Sequence, residues 1–377
     1  MASFPHKLSH KLIQAKEKFL FRSLKTNYPS VDFSSNDYLG FSTQGCLHQE
    51  IQSLEPSIKM GSTGSRLISG NSVLFNEIEK DIANFHEAET ALIFNSGYDA
   101  NLGLLSSVPQ KGDLILSDEL IHASLIDGIR LSHATHYKFS HNDIASLLDL
   151  VKRHKGTFQE IYVVVESVYS MDGDCAPLIE LANICKQYNL HLIVDEAHGI
   201  GVFGAQGKGL CQDLNIHNDC FARIYTYGKA MGCHGAAILG SEELKQYLIN
   251  FSRSFIYTTA MPEHSLLAIK AAYHLLAKTN EIEKLRNNIH YFNSKTNSDN
   301  SFIKSTSSLH CKVIAGNKQV QDLEERLSQS NFFVKSIKSP TVKEGQERIR
   351  ICLHSFNTQQ EINLLLELLI QFTSVCW

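Results

Sequence analysis

The sequence predicts an α/β fold: a large domain with a mostly parallel central sheet, and a smaller C-terminal α+β domain. Three observations predict it. Short β-rich runs alternate with helical periods through the middle of the chain, the pattern of a parallel sheet covered by helices. After about Pro262 that alternation gives way to mixed strands and helices. The 377 residues also exceed the roughly 150 of one ordinary domain. The boundaries read as an N-terminal helix and arm over 1–45, the large α/β domain over 46–270 and the smaller domain over 271–377.

Residues 1–25 are basic through Lys7, Lys11, Lys16, Lys18, Arg22 and Lys25, as in a transit peptide. They also carry Glu17 and lack a long apolar stretch. They read as an amphipathic helix with Leu8, Leu12, Phe19 and Leu20 on one side. Leu74, Ile78 and Ile82 follow the i, i+4 rule, with Phe75 and Phe85 beside them, and predict a helix. Strands are expected at 91–94, 114–116, 161–165, 191–194, 223–227 and 236–239, and helices at 99–105, 178–188 and 241–251. A long helix over 265–278 could link the two domains, and 294–301 is polar and irregular. Thr358-x-x-Glu361 is a capping box before an apolar helix over 362–372.

Composition excludes several classes. Apolar residues make up 43% and charged residues 20%, near globular averages and unlike a disordered chain. A net charge of −4 lacks the basic excess of a nucleic-acid coat. No run of about 18 apolar residues suggests a membrane span. Nine cysteines, none as C-x-x-C, read as scattered reduced thiols of a cytoplasmic protein. His122, Asp195 and His198 fit no closed zinc set, so no metal is expected.

Two motifs mislead. Gly199-Ile200-Gly201-Val202-Phe203-Gly204 matches G-x-G-x-x-G, but Asp195-Glu196-Ala197-His198 separates it from its strand, and a loop follows it where a dinucleotide motif would open a helix. The same Asp195–His198 tetrapeptide spells a helicase-like box. A nucleotide-driven motor would also need a G-x-x-x-x-G-K-[ST] loop, which the chain lacks.

The chemistry gathers where open α/β sheets bind ligands, beyond the carboxyl ends of the strands. After 91–94, Ser96, Gly97 and Tyr98 open a helix whose backbone N–H groups favour an anion such as phosphate. After 114–116 comes His122, which could stack on a planar ring. After 161–165, residues 166–174 form a polar loop. After 191–194 comes Asp195, whose burial calls for a cationic partner such as a protonated pyridine nitrogen. After 223–227 comes Lys229 among small residues, the setting of a lysine that attacks carbonyls. Taken alone, each has a plain structural reading: a turn, a packed histidine, a solvated loop, a helix cap, a surface lysine. Together they describe pyridoxal phosphate chemistry, which needs a lysine imine, an acid on the ring nitrogen and a phosphate anchor.

The motifs carry a specific likeness. Gly64-Ser65-Arg66-Leu67-Ile68-Ser69-Gly70, Ser170-Met171-Asp172-Gly173-Asp174, Asp195-Glu196-Ala197-His198-Gly199 and Thr226-Tyr227-Gly228-Lys229 resemble those of the α-oxoamine synthases, fold-type-I pyridoxal phosphate transferases. The resemblance runs from Phe33 to Arg350. Asn36-Asp37-Tyr38-Leu39-Gly40, Cys233-His234-Gly235-Ala236-Ala237 and Tyr257-Thr258-Thr259-Ala260-Met261-Pro262 look most like the branch that condenses L-alanine with a pimeloyl thioester on coenzyme A or acyl carrier protein.

The resemblance implies that Lys229 holds pyridoxal 5'-phosphate covalently, that Asp195 pairs with its ring nitrogen, and that His198 and Ser170 lie near the ring hydroxyl. It implies that His122 stacks on the ring, and that Ser96, Gly97, Tyr98 and Thr226 lie near the phosphate or ring. Thr258 and Thr259 would reach the phosphate of a neighbouring subunit, which implies a homodimer. Arg350 would hold the amino-acid carboxylate, with Arg22 as a second carboxylate or acyl-chain contact and Asn36 lining the substrate site. The chain departs from the family at Tyr98, Tyr227 and Cys233, which leaves pocket shape and acyl-chain choice open. A sibling synthase that uses glycine, and a non-catalytic partner subunit, are the other readings.

Overall fold

The computed structural model describes residues 4–24, 26–54 and 59–374, so Lys25 and Cys376 lie outside the described residues. The chain divides into two units. One comprises Asn36–Ser170 and Cys175–Arg286; the other comprises Met1–Ser35, Met171–Asp174 and Asn287–Trp377.

The larger unit holds a seven-stranded sheet: β1 (Thr90–Phe94), β2 (Leu114–Asp118), β3 (Thr135–Phe139), β4 (Ile161–Glu166), β5 (His191–Asp195), β6 (Ala222–Thr226) and β7 (Ala236–Gly240). Their order is β1-β7-β6-β5-β4-β2-β3. From β6 to β3 every pairing is parallel, and β7 runs antiparallel to both its neighbours. The sheet is therefore mostly parallel, with one reversed strand. Every residue of β2 and β4 is buried, which is why these strands read as near-continuous apolar runs.

All six expected strands form, and three of them take in an acidic residue expected in the following loop. Asp118, Glu166 and Asp195 are the last residues of β2, β4 and β5, not the first residues of loops. Backbone pairing continues until the chain must turn, whatever the polarity of the side chain. Sequence reading missed β3. It is an edge strand of sequence THYKF with only Phe139 buried, so no apolar period marks it.

Helix α1 (Val73–Phe85) buries Phe75, Ile78 and Ile82, with Leu74 and Phe85 half-buried at its flanks. Helix α2 (Gly97–Ser107) starts directly after β1, capped by Ser96, whose Oγ accepts from the Asp99 N–H at 3.1 Å. Helix α3 (Ala123–Leu131) is capped by the His122 side chain. Helix α4 (Leu178–Tyr188) has the expected limits and ends on Asn189 in the left-handed region at φ 53°, a common helix stop. Helices Ile144–His154, Glu242–Phe251 and Glu263–Lys278 also belong to this unit.

The smaller unit has a three-stranded antiparallel sheet in the order Lys335–Ile337, Arg348–Cys352, Leu309–Val313. Helices Asn317–Gln329 and Gln359–Ser374 belong to it, and their Val320, Leu327, Ile362 and Leu365 are buried. The capping box forms: the Glu361 N–H donates to Thr358 Oγ1 at 3.2 Å, and the Thr358 N–H to Glu361 Oε2 at 2.7 Å. Helix Glu281–Thr296 runs into the stretch expected to be irregular at 294–301. The N-terminal helix is His6–Glu17 and has no buried residue. Phe19 and Leu20 fall past its end, Phe19 at φ 58°, so they do not share its apolar side.

Candidate active site

A cavity of about 250 Å³ opens at the carboxyl ends of the strands in the larger unit. Asp195 reaches it from the end of β5 and Thr226 from the end of the neighbouring β6, with Lys229 just beyond. Helix α2 presents its first turn to the cavity through Gly97 and Tyr98. Because β7 is antiparallel, its beginning lies at this same edge, so His234 and Gly235 also line the cavity.

Asp195 is 3% exposed, and each of its oxygens has a donor. Asn101 Nδ2 donates to Oδ2 at 2.7 Å and the Ala197 N–H to Oδ1 at 2.9 Å. Such charge-assisted bonds offset the cost of burying a carboxylate. Asn101 Nδ2 also donates to Ser124 Oγ at 3.0 Å. Ser124 in turn holds His122, whose Nδ1 lies 2.7 Å from Ser124 Oγ and accepts the Ser124 N–H at 3.2 Å. With Nδ1 as acceptor, the proton of the neutral ring sits on Nε2. Burial lowers the His122 pKa; Asp195 opposes that shift and Lys229 adds to it. The imidazole is therefore uncharged at neutral pH, suited to lying against a flat ring.

His198 is fixed by another chain of bonds. Tyr38 OH donates to Asn36 Oδ1 at 3.1 Å and lies 2.7 Å from His198 Nδ1. A hydroxyl that donates to Asn36 accepts from His198, so Nδ1 carries the proton and Nε2 is the acceptor nitrogen.

Lys229 is half-buried between Tyr227 and Ala230, both fully buried. The approach of the following loop depends on Gly201, which has φ 78° and where an added Cβ would stand 2.5 Å from Ala230 Cβ. The start of α2 is similarly tight, since a Cβ on Gly97 would stand 2.4 Å from Thr226 Cγ2. Thr226 Oγ1 is buried without a hydrogen-bond partner, next to the N–H groups of a helix N-terminus. An orphaned hydroxyl there fits a phosphate oxygen. A carbonyl-seeking amine, a buried carboxylate, an uncharged imidazole and an anion cradle in one cavity fit pyridoxal phosphate.

Of the residues picked out in the sequence, Asn36, Ser96, Gly97, Tyr98, His122, Asp195, His198, Thr226 and Lys229 line this cavity. Ser170, Thr258 and Thr259 do not. Thr258 lines a separate small cavity, where Asn95 Nδ2 donates to Thr258 Oγ1 at 3.1 Å and to the Thr259 carbonyl at 2.8 Å. Arg350 and Arg22 belong to the smaller unit. There the Arg350 guanidinium donates to Cys352 Sγ at 2.9 Å, and Arg22 is exposed. Tyr227 does not shape the cavity; it is buried against Tyr273, hydroxyl to hydroxyl at 3.3 Å. Of the three departures, Tyr98 lines the cavity and Cys233 does not, although its neighbour His234 does.

Sequence reading also missed Asn101, Ser124 and Glu166. Asn101, one turn after Gly97 and beside the apolar run Leu102-Gly103-Leu104-Leu105, carried the clearest signal. Glu196 of the misleading tetrapeptide is structural: its carboxylate is fully buried and accepts from the N–H groups of Leu210 (3.1 Å) and Cys211 (2.6 Å) and from Ser167 Oγ (2.8 Å).

Residues 28–369 match the family described as aminotransferase class I and II. The 8-amino-7-oxononanoate synthase of Emericella nidulans is 40% identical, the alignment covering 94% of this chain and 92% of that one. That of Haemophilus ducreyi is 35% identical, covering 90% and 91%. Among solved structures, 8-amino-7-oxononanoate synthase from Francisella tularensis superposes with a TM-score of 0.77 at 29% identity, covering 92% of this chain and 98% of that one. A serine palmitoyltransferase of Sphingomonas wittichii shares the fold, with a TM-score of 0.89, 23% identity and 99% coverage of each chain. A match over nearly the whole length, on a sheet whose strand ends carry the expected lysine and aspartate, places this chain in the aminotransferase class I and II family.

Proposed function

We propose that the chain condenses L-alanine with a pimeloyl thioester, giving 8-amino-7-oxononanoate, CO₂ and the free thiol, with pyridoxal 5'-phosphate as cofactor. This is the activity in the names of relatives 35% and 40% identical to it, a step of biotin biosynthesis. One observation carries the reading: Asp195 and Lys229 line one cavity from adjacent parallel strands.

When bound, pyridoxal phosphate supplies an electron sink for the pair left as the amino acid loses its Cα proton. The Lys229 amine is the group that takes that proton and later returns one. Asp195, held by Asn101 and the Ala197 N–H, keeps negative charge at the ring nitrogen, a fixed electrostatic contribution of the kind that dominates many active sites. His122 would cover one face of the bound ring, and the start of α2 with Thr226 would hold the phosphate. His198 Nε2 and Ser170 are assigned to the ring hydroxyl. Arg350 is assigned to the substrate carboxylate, for which a guanidinium fork is the matching partner; Arg22 and Asn36 are assigned to the substrate. Thr258 and Thr259 are assigned to the neighbouring subunit's phosphate in a homodimer, and the carrier to coenzyme A or acyl carrier protein. We place the reaction in the cytoplasm, where scattered thiols stay reduced.

The test is thiol release and product mass from purified protein with pyridoxal phosphate. L-Alanine with pimeloyl-CoA or pimeloyl-acyl carrier protein should be the best pair. Preference for glycine with acetyl-CoA or succinyl-CoA would contradict the assignment in favour of a sibling synthase, and no turnover with any pair would favour a non-catalytic subunit.

A further inference from the structure

Glu166 closes β4 as Asp195 closes β5, and the two are register partners in the parallel sheet. Both are 3% exposed and both line the cavity, but their surroundings differ. Asp195 has a donor on each oxygen. The Glu166 carboxyl receives the His122 backbone N–H, while its Oε1 is buried without a partner. The charged groups acting on Glu166 are Asp195 on β5, Asp118 at the end of β2 and Lys229 beyond β6. Nearby His122 is uncharged at neutral pH. Two adjacent buried carboxylates beside one amine cannot both ionise cheaply, and the one with fewer donors keeps its proton.

We propose that Glu166 is a binding residue that holds a proton at neutral pH and donates it, as a hydrogen bond from Oε1, to an acceptor atom of the cavity's occupant. The site then presents one charged carboxylate, Asp195, beside one neutral carboxyl. This removes a repulsion that would otherwise act on Asp195, and it converts the orphaned Oε1 into a donor. Burial first, then the charge of Asp195, pushes the Glu166 pKa well above the usual carboxylate range, with Lys229 opposing; the direction agrees with the geometry. The identity of the occupant rests on the pyridoxal phosphate reading, but the proton does not.

The test is infrared spectroscopy of the full-length protein without added ligand, titrated upward from pH 7. The carbonyl stretch of a buried, protonated carboxyl should be present at pH 7 and fade only at higher pH. It should be missing from Glu166→Gln and retained in Asp195→Asn. No such band in the wild type, or a band that survives in Glu166→Gln, would overturn the proposal, and neither result depends on the cofactor. With pyridoxal phosphate as probe, Glu166→Gln, whose amide still donates, should bind within about threefold of wild type. Glu166→Ala should lose about tenfold, the scale of one hydrogen bond. Binding by the wild type should weaken as pH rises through the Glu166 pKa, and binding by Glu166→Gln should not follow that slope. Equal losses in Gln and Ala would contradict a donor role.

Discussion

Asn101 shows how much of the site depends on residues that do no chemistry. Its amide joins two helices' contributions, since it donates both to Asp195 and to the Ser124 hydroxyl that holds His122. Replacing it by Ala removes a bond to a buried charge, a loss of roughly 1.5–3 kcal/mol. Asn101→Ala should therefore lower kcat/KM by about 10- to 100-fold, most of it in kcat, with pyridoxal phosphate still bound through Lys229. Steady-state kinetics beside a cofactor titration would check this; unchanged kcat would mean that Asp195 needs no second donor. Lys229, Asp195 and His198 were legible in the sequence because strand ends in a parallel sheet are where such groups collect. Asn101 and Ser124 were not, because their roles come from α2 and α3 packing side by side, which no local pattern records.

The elements of the larger unit were legible where burial is two-sided. Strand β4, apolar as far as Val165, announces itself, whereas the edge strand β3 does not. The ends of strands were less legible, and function sits at those ends: Glu166 looked like the start of a solvated loop but is a buried strand residue. The glycine segment after β5 looked like a nucleotide motif, and its actual requirement is steric. Gly201 lies at a positive φ and against Ala230, the neighbour of Lys229. Gly201→Ala adds a left-handed non-glycine residue, costing about 1–2 kcal/mol, together with a contact that must shift. Urea unfolding should show that loss or more, and cofactor affinity should fall as Ala230 moves. An unchanged midpoint would show that the loop relaxes freely.

At the scale of the whole molecule, the N-terminal arm and the C-terminal part share one unit, and Val31–Asp32 pairs in parallel with Phe332–Phe333. No pattern local to either segment announces a pairing between opposite ends of the chain. Each unit also carries a fully buried neutral imidazole. His86 lies in the larger unit, between Gln212 and Tyr273, and His310 in the smaller. Burial lowers the pKa of both to about 3. An unfolded histidine titrates near 6.5, so below that pH the unfolded chain takes up protons that the folded chain refuses. Stability is then full above about pH 6.5 and falls as pH drops toward 3, by roughly 1.4 kcal/mol per unit for each histidine. At pH 5 the two together should cost on the order of 4 kcal/mol. Urea midpoints at pH 7 and pH 5 would show it, and a flat profile between them would contradict neutral burial.

The account turns on which side chain takes the cofactor. Protein loaded with pyridoxal phosphate, reduced with borohydride, digested and mapped by mass spectrometry should carry the pyridoxyl group on the peptide containing Lys229. Lys229→Ala should show neither that label nor the visible absorption of the bound cofactor. A label on another lysine, or none on the wild type, would contradict the assignment of this cavity.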